Sequence, residues 1–364
     1  MGEAVSTATS TTSTVVSGAR RVSLSVVLAA ALGAAVSPAT AQAAPPAPRA
    51  ERVSVAADGT EADGASGAAS LSGDGRHVAF SSSAENLTQG HQGPYDYGFV
   101  RDLRTGEVTR LKNSMGAPVI SDDGRYAAHT GWGAHGINVF LTDLSTGERE
   151  QIDGKGFKDS SAHPSISADG RFVAYKLQPR HPGDPARVEV YDRVSDTREV
   201  VSEGPQDATR DMVDPSLSAD GRHVAYEDKG TGQVWLRDRA TGTLTRVDDG
   251  TASTLVQVNG RSVAMNSADG AYVRDLRTGK VRRLPGGHAQ ALSRDGRQLL
   301  YGDGESNVVL RRLSSGHEVA VGHGSAGPGA IAAKGRGIVF SSEDADIVPG
   351  DTNGLRDVFK WTAR

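Results

Sequence analysis

The chain contains no cysteine in 364 residues. This absence excludes disulfides, thiolate metal sites and cysteine nucleophiles. A folded part of about 320 residues, which remains if the amino-terminal segment discussed below is removed, can bury a sufficient core without cross-links.

Aromatic residues and basic clusters are also scarce. Phe, Trp and Tyr make up 5% of the chain, and the formal net charge is −4. Nucleic-acid partners require a basic surface, and single strands additionally require aromatic stacking. We therefore set nucleic acid aside as a partner.

Motifs for catalysis are missing as well. The chain has no G-x-S-x-G nucleophile elbow, no phosphate-binding loop ending in Lys-Ser or Lys-Thr, and no H-E-x-x-H zinc helix. The nearest string to an elbow, at residues 322–327, is interpreted as a glycine-rich loop. No catalytic residue is assigned, and we expect a non-enzymatic protein.

What the chain does contain is a motif that occurs seven times. Leu-Ser-Gly-Asp-Gly-Arg-His-Val-Ala-Phe at 71–80 has close copies at 166–175 and 217–226, and fainter copies elsewhere. The glycines of the motif are Gly75, Gly124, Gly170, Gly221, Gly260, Gly296 and Gly335. Their spacing runs from 36 residues (260 to 296) to 51 residues (170 to 221), which is typical of a propeller or a comparable array.

Each repeat predicts four short strands. Asp-Gly between apolar runs is a strong signal for a tight hairpin, and a second turn, Arg-Asp-Leu-Arg-Thr-Gly, recurs at 101–106 and 274–279. Four strands joined by hairpins match one blade. We predict an all-β fold, a single β-propeller of seven four-stranded blades, with six as the alternative because the fifth repeat (257–265) is degenerate.

The two ends of the repeat region predict how the ring closes. The last repeat provides strands at 338–340 and 357–361 but no fourth strand, whereas residues 51–55 form a strand without a blade of their own. We predict that this amino-terminal strand completes the last blade and removes its open edge.

The string S-x-D-G-R-x-V-A-F/Y followed by R-D-L-x-T-G resembles the WD40-like (PD40-type) propeller repeat of TolB-type proteins, over residues 51–361. The resemblance implies an exported propeller that recruits peptide segments of partner proteins at the mouth of its channel. The chain differs from that family in having seven repeats instead of six, and no small α/β domain fits ahead of its propeller.

The amino-terminal residues predict export. Arg20 and Arg21 precede an apolar run at 24–36, and Ala-Gln-Ala at 41–43 fits a signal-peptidase site. We assign residues 1–43 to a signal peptide, 44–50 to a Pro/Ala-rich spacer and 51–364 to the propeller. The mature protein is then secreted, extracellular or periplasmic, after cleavage near Ala43, and has no membrane span. A retained membrane anchor is the alternative, although the run is short for one.

Candidate ligand-binding residues interrupt the repeat close to the innermost strands. His163, Asp214 and His288 occupy roughly matching places in blades three, four and six, where loops converge over the channel. They could present hydrogen bonds to a peptide or sugar or bind a divalent metal, or they could simply face water. Trp132, in a glycine-rich loop at 130–136, is a further candidate contact residue.

A weak calcium candidate lies near the carboxyl terminus. Asp351, Asn353 and Asp357 place oxygen side chains at positions one, three and seven of a glycine-containing loop. An Asn-Gly turn is the simpler interpretation. Ring closure would bring the acidic loop that contains Glu61 near it. Apart from this possible calcium, no cofactor is expected.

An arginine follows the hairpin glycine in every repeat. The seven are Arg76, Arg125, Arg171, Arg222, Arg261, Arg297 and Arg336. They could form a cationic ring, but a residue repeated in every blade favours a structural role, and we expect these arginines to pair with a turn or a carboxylate.

The sequence therefore favours a secreted, monomeric propeller without enzymatic activity. It would bind a protein, peptide or glycan on a loop face near the central channel. The alternative is a metal-dependent lyase or hydrolase that uses His163, Asp214 and His288 at the channel mouth.

Overall fold

The computed structural model describes residues 49–89, 95–134, 136–154, 159–179, 184–202, 212–333 and 335–363, all within one compact unit that spans residues 45–364. The regular secondary structure of these residues consists of β-strands. No helix in these segments is long and apolar enough to span a membrane. The proposed signal peptide and residues 44–48 of the spacer lie outside the described residues.

Seven antiparallel sheets make up the described part of the chain, and in six of them four strands follow one another in chain order. Blade 1 consists of β2 (Ser66–Leu71), β3 (His77–Ser82), β4 (Tyr97–Asp102) and β5 (Val108–Arg110). Blade 2 consists of β6 (Ser114–Ile120), β7 (Tyr126–Gly133), β8 (Gly136–Asp143) and β9 (Arg149–Gln151). Blade 3 consists of β10 (Ser160–Ile166), β11 (Phe172–Gln178), β12 (Arg187–Asp192) and β13 (Thr197–Val200).

The remaining blades follow the same order. Blade 4 consists of β14 (Met212–Leu217), β15 (His223–Asp228), β16 (Gln233–Asp238) and β17 (Thr243–Arg246). Blade 5 consists of β18 (Ser253–Asn259), β19 (Ser262–Ser267), β20 (Gly270–Asp275) and β21 (Val281–Pro285). Blade 6 consists of β22 (His288–Leu292), β23 (Gln298–Gly302), β24 (Asn307–Arg312) and β25 (Glu318–His323).

Blade 7 joins the two ends of the propeller. β26 (Gly337–Ser342) and β27 (Asp357–Thr362) are completed on the outside by β1 (Arg49–Arg52), which pairs antiparallel with β27. On the inside, residues 325–331 bridge to β26 at both of their ends. The predicted seven-bladed ring and its closure by the amino-terminal strand are confirmed, although the strand lies at 49–52 rather than 51–55 and so includes the end of the expected spacer.

The repeated Ser-x-Asp-Gly-Arg segment is a side-chain-stabilised hairpin between the first two strands of a blade. In blade 3, the Ser167 hydroxyl donates to Asp169 (2.6 Å) and accepts from the Phe172 amide (2.9 Å). Gly170 takes the positive φ of 66° that closes the turn, a conformation that costs a residue with a Cβ. The Asp-Gly pairs are therefore turns, as predicted.

These hairpins also pack the blades together. A Cβ on Gly170 would lie 2.4 Å from the ring of Tyr126 in the preceding blade, and one on Gly221 would lie 2.4 Å from Phe172. Glycine thus lets a large side chain of one blade fill the space under the hairpin of the next. Buried cores repeat at each seam, with Val173, Tyr175 and Tyr191 in the one between blades 2 and 3.

Because consecutive strands are antiparallel, each blade has the same polarity. The Ser-x-Asp-Gly-Arg and Arg-Asp-Leu hairpins all lie at one end of the ring, which we call the hairpin face. The loops between second and third strands and the connections between blades lie at the other end, the loop face. Both repeated turn motifs therefore lie at the hairpin face.

Candidate functional site

The innermost strands of the blades surround a central channel that contains a cavity of about 350 Å³. Its wall is built chiefly of small apolar residues and of prolines from four blades: Pro118, Pro164, Pro215 and Pro328. Proline lacks an amide hydrogen and is tolerated where a strand has no neighbour on that side. The channel edge of an innermost strand is such a place, so the prolines give the wall an apolar, rigid surface.

His163 and Asp214 lie in this wall, inside β10 and β14 rather than ahead of the innermost strands as expected. Each sits in a β-bulge, where the register to the second strand shifts. Their φ angles are 56° and 49°, values uncommon for residues other than glycine. Ala68, the equivalent residue of blade 1, has a φ of 41°. The bulge itself is therefore structural, whereas polar side chains at this position are particular to blades 3 and 4.

The two side chains contact each other across the seam between blades 3 and 4. His163 Nδ1 lies 2.6 Å from Asp214 Oδ1, and the side chains are 59% and 53% exposed. The hydrogen bond from His163 lowers the pKa of Asp214, with Lys176 and Lys229 adding smaller favourable charge interactions. The pair offers hydrogen-bonding groups on the wall of an otherwise largely apolar cavity.

The structure does not bring His288 into this pair. His288 is the first residue of β22, at the loop face, and it is not part of the cavity wall. The register of blade 6 shifts at Gln290 instead, so the bulge residue there is a glutamine. Over the described segments, only Glu61, Asp351 and Asp357 form a group of three side chains placed to share a metal ion. His288 thus lies ahead of the bulge position that His163 and Asp214 occupy, and a ligand role for these residues stays a prediction.

Two channel residues were missed from the sequence, Arg294 and Asp122. Both occupy the variable position of the Ser-x-Asp-Gly-Arg hairpin, in blades 6 and 2 respectively. Arg294 Nε lies 2.8 Å from Asp122 Oδ1, with side-chain exposures of 10% and 23%. Desolvation lowers the pKa of Arg294 and raises that of Asp122. The sequence contains a signal for these two residues, because most other copies of the motif have glycine or alanine at this position and a charged side chain there is a departure from the repeat.

Small residues are needed there because the hairpins bond to one another around the channel. The amide of Asp122 donates to Ala168 O and the amide of Ala168 donates to Ala219 O, both at 2.8 Å. The Ala219 amide continues the series to Asn259 Oδ1 at 3.0 Å. This backbone ring narrows the channel at the hairpin face. Arg294 and Asp122, from blades on opposite sides, contact each other at the same level.

The acidic group near the carboxyl terminus is organised by an arginine. Arg52, on the closing strand, is paired with Glu61, and its Nη2 and Nε lie 3.3 Å from Asp351 and 3.5 Å from Asp357. Asp357 Oδ1 also accepts from the Ser54 hydroxyl, and burial raises the pKa of Asp357. The carboxylates suit calcium in kind, but a guanidinium already lies among them.

Ring closure brings the acidic loop to this group, as expected. The Thr352 hydroxyl donates to Glu61 at 2.5 Å, and Asn353 Nδ2 donates to Ala62 O at 3.0 Å. Asn353 Oδ1 accepts from the Leu355 amide at 2.8 Å, which makes a turn of the Asx type. The contacts seen are those of an interlocked closure between β1 and the last blade. Calcium binding by Asp351, Asn353 and Asp357 stays a prediction.

Trp132 lies near the end of β7, opposite Ile137, at the loop face. Its side chain is 52% exposed, and Tyr95 of blade 1, also at the loop face, is 64% exposed. The expected exposure is confirmed, but the expected loop at 130–136 is wrong, because residues 130–133 belong to β7. Trp132 does not line the channel cavity, so a contact role for it would concern the rim.

Comparisons with known proteins bear on the fold. No family model matches the chain, and no curated protein matches it in sequence. Oligogalacturonate lyase from Vibrio parahaemolyticus is similar in structure, with a TM-score of 0.62 and 13% identity over 86% of this chain and 93% of that one. An oligogalacturonate lyase in complex with manganese matches with a TM-score of 0.63 and 15% identity over the same shares.

TolB from Acinetobacter baumannii also matches, over 76% of this chain and 78% of that one, with 15% identity and a TM-score of 0.43. The predicted propeller fold is confirmed by the seven sheets of the chain itself. At these identities the likeness concerns architecture alone, so function has to be argued from the site itself.

Proposed function

We propose that this chain is a non-enzymatic binding propeller that takes a segment of a partner protein into its central channel from the loop face. The proposal depends chiefly on one observation, the cavity of about 350 Å³ walled by innermost strands. Concave, mostly apolar sites with a few polar groups are the usual form of a ligand site.

The chemistry of the wall favours a peptide over a glycan. Ala69, Pro118, Val256 and Pro328 are typical of the lining, and none of the lining residues is Phe, Tyr or Trp. A sugar would need many hydrogen-bonding groups or an aromatic stacking surface. A peptide can instead pack apolar side chains against the prolines and satisfy its backbone at the edges of innermost strands and at the His163–Asp214 pair.

Blocking the channel tests this proposal. Ala117→Trp places a large side chain on the cavity wall, whereas Val194→Trp adds the same side chain at a position that is 67% exposed. We expect the mature protein to retain a partner from the extracellular or periplasmic fraction, and Ala117→Trp to lose it while Val194→Trp keeps it. Equal retention by both variants would contradict binding in the channel.

A metal-dependent lyase or hydrolase at the channel mouth is the second candidate. Its support is the similar fold of oligogalacturonate lyase, one structure of which is a manganese complex. Against it, His288 does not join His163 and Asp214 on the cavity wall. Metal analysis and a panel of polysaccharide and peptide substrates distinguish the two, since turnover abolished by His163→Ala would favour the enzyme.

For the acidic group we propose that Arg52 supplies the positive charge and that no cofactor is required. Calcium would have to displace a guanidinium that contacts Glu61, Asp351 and Asp357. Calorimetry with calcium chloride should give no binding heat at micromolar concentrations. A binding heat that disappears in Asp351→Ala would restore the calcium site.

We further propose that the protein is exported after cleavage near Ala43 and is a monomer. The signal-like composition of residues 1–43 supports export. Amino-terminal sequencing of the protein from culture medium or periplasm tests the cleavage position, and sedimentation tests the monomer.

A further inference from the structure

We infer that the segment bound in the channel presents a carboxylate to Arg294 at the hairpin-face end of the cavity. The inference rests on the proposed binding function and adds the chemical class of the ligand. A carboxyl terminus or an Asp or Glu side chain could supply this group.

The position of Arg294 is the first support. Its side chain lines the cavity although it is only 10% exposed. A charged group is seldom buried this deeply without a function or full pairing. The other titratable groups of the cavity wall, His163 and Asp214, come from blades 3 and 4 and are already in contact with each other.

The hydrogen bonds of the guanidinium are the second support. An arginine side chain has five N–H donors. Among the described residues, Nη2 donates to Ile120 O at 3.3 Å, and no other hydrogen bond is formed. The 2.8 Å contact of Nε with Asp122 is an ion pair that lacks good hydrogen-bond geometry. Donors of the guanidinium, those of Nη1 included, thus remain for an acceptor within the cavity.

The geometry of the guanidinium permits two carboxylates at once. Asp122 lies at Nε, whereas a ligand carboxylate can bind at the edge formed by Nη1 and Nη2. Arginine–carboxylate contacts of this two-point kind are strong and directional. Asp122 partly neutralises Arg294, so removal of its charge should strengthen the binding of an added carboxylate.

The narrow end of the channel favours a chain terminus over a passing chain. The hairpins of blades 2, 3 and 4 are joined at this level by backbone bonds from Asp122 to Ala168 and from Ala168 to Ala219. A peptide that enters from the loop face meets this ring and the Arg294–Asp122 contact. A terminal carboxylate can stop there without requiring the chain to turn.

Three acetylated tripeptide probes test the inference by calorimetry on the mature protein. They are Ac-Val-Pro-Ala with a free carboxylate, the same peptide as its amide, and Ac-Val-Asp-Ala amide. We expect the free acid to bind at least about tenfold more tightly than its amide, the range expected for hydrogen bonds to a charged group. Tighter binding of the aspartyl amide would assign the carboxylate to a side chain.

Variants then locate the carboxylate site. Arg294→Gln should reduce the affinity for the free acid to that for the amide, whereas Arg297→Gln, at a side chain 80% exposed, should leave it unchanged. Asp122→Asn should increase the affinity for the free acid. If Arg294→Gln fails to fold, the double variant Arg294→Gln/Asp122→Asn removes both charges and should show the same loss.

The outcomes separate this inference from the proposed function. If acid and amides bind equally in the wild-type protein and Ala117→Trp abolishes all three, the channel binds peptides but the carboxylate inference is wrong. If none of the probes binds, both are overturned for peptides of this kind.

Discussion

In blades 1 to 4 the arginine of the first hairpin binds the aspartate of the second. The pairs are Arg76–Asp102, Arg125–Asp143, Arg171–Asp192 and Arg222–Asp238, with Nε to carboxylate distances of 2.9–3.0 Å. Each arginine lowers the pKa of its aspartate, to about 2 for Asp143. The expectation that these arginines are structural is confirmed here.

In blades 5 to 7 the described residues form no such pair. Two reasons are apparent when the seven repeats are compared with one another. The hairpin of blade 5 is two residues shorter, so Arg261 lies in the turn itself, between Asn259 and Ser262, which pair directly. In blades 6 and 7 the partner has changed, because Arg312 and Thr362 stand where the aspartate would be.

The apolar core is nevertheless retained in all seven blades. Val263, Leu299 and Val339, on the second strands of blades 5, 6 and 7, are 0% exposed, like Val78 in blade 1. Buried strands and hairpin glycines therefore define a blade, whereas the ion pair is an addition to it. The hairpins of two irregular blades carry Asn259 and Arg294 at the end of the channel, whereas Asp122 comes from a regular blade, so both halves of the ring contribute to the candidate site.

The largest effect is expected at the ring closure, a device that the regular blades lack. Arg52 is 8% exposed at its side chain and lies among three carboxylates. Removal of one partner from a buried ion group costs about 3–5 kcal/mol. We expect Arg52→Met to lower the free energy of unfolding, measured with urea, by this amount. Arg171→Met, which removes one partner of a regular and more exposed pair, should lower it far less. Equal losses would show that the closure is no more important than a single blade.

Glycine substitutions should show that the contact between blades 3 and 4 tolerates an added methyl group less well than the contact between blades 6 and 7. A Cβ on Gly221 would meet the Phe172 ring at 2.4 Å, whereas a Cβ on Gly335 would meet the flexible end of Gln298. Positive φ alone costs about 1–2 kcal/mol, and overpacking adds about 1–3.

We therefore expect Gly221→Ala to lose about 3 kcal/mol in unfolding free energy and Gly335→Ala about 1. Gly279→Ala, with φ of 71° and open space around its Cβ, measures the backbone cost alone. A Gly335→Ala variant as unstable as Gly221→Ala would contradict the difference between the seams.

A buried histidine of blade 2, His129, should make the folded protein less stable in acid. Burial lowers the pKa of His129 to about 4, while an unfolded histidine titrates near 6.5. Between these values the unfolded chain binds the additional proton, so stability falls as the pH drops from about 6.5 to 4, by about 3 kcal/mol. His129→Gln should show a smaller decrease over the same range. An identical pH profile for both proteins would exclude this role.

The smallest effect comes from adding the missing pair to blade 6. Arg312→Asp places a carboxylate where the regular blades have one, opposite Gln298 and therefore one residue from the exposed Arg297. Exposed pairs contribute little, so we expect the melting temperature to rise by about 1–2 °C. Arg297→Ala in the same background should cancel the gain, and no gain would mean that the pair depends on the regular hairpin around it.

Much of the fold could be predicted because its causes are local. Asp-Gly hairpins and alternating apolar residues act within a few positions, so seven blades were readable even where blade 5 has lost part of its motif. The closing strand was also predictable, since residues 338–361 lacked a partner that the amino terminus could supply. Its start lies two residues and its end three residues earlier than expected, because the motif does not extend to that strand.

The site was only partly predictable. His163 and Asp214 depart from the repeat in the sequence and contact each other in the structure. His288 lies ahead of the corresponding position, because the bulge of blade 6 is one residue shorter than that of blade 3. Arg294 and Asp122 lie 172 positions apart and meet only because blades 6 and 2 face each other across the ring.

The sequence by itself therefore determined the blade and the closure and favoured seven blades over six, because hairpins and strand patterns depend on neighbours along the chain. Tertiary structure alone decided which side chains share the channel, since curvature of the whole ring brings distant blades to a common axis. It also decided that Arg52 lies among the acidic side chains proposed for calcium, because the closing strand carries that guanidinium to the last blade.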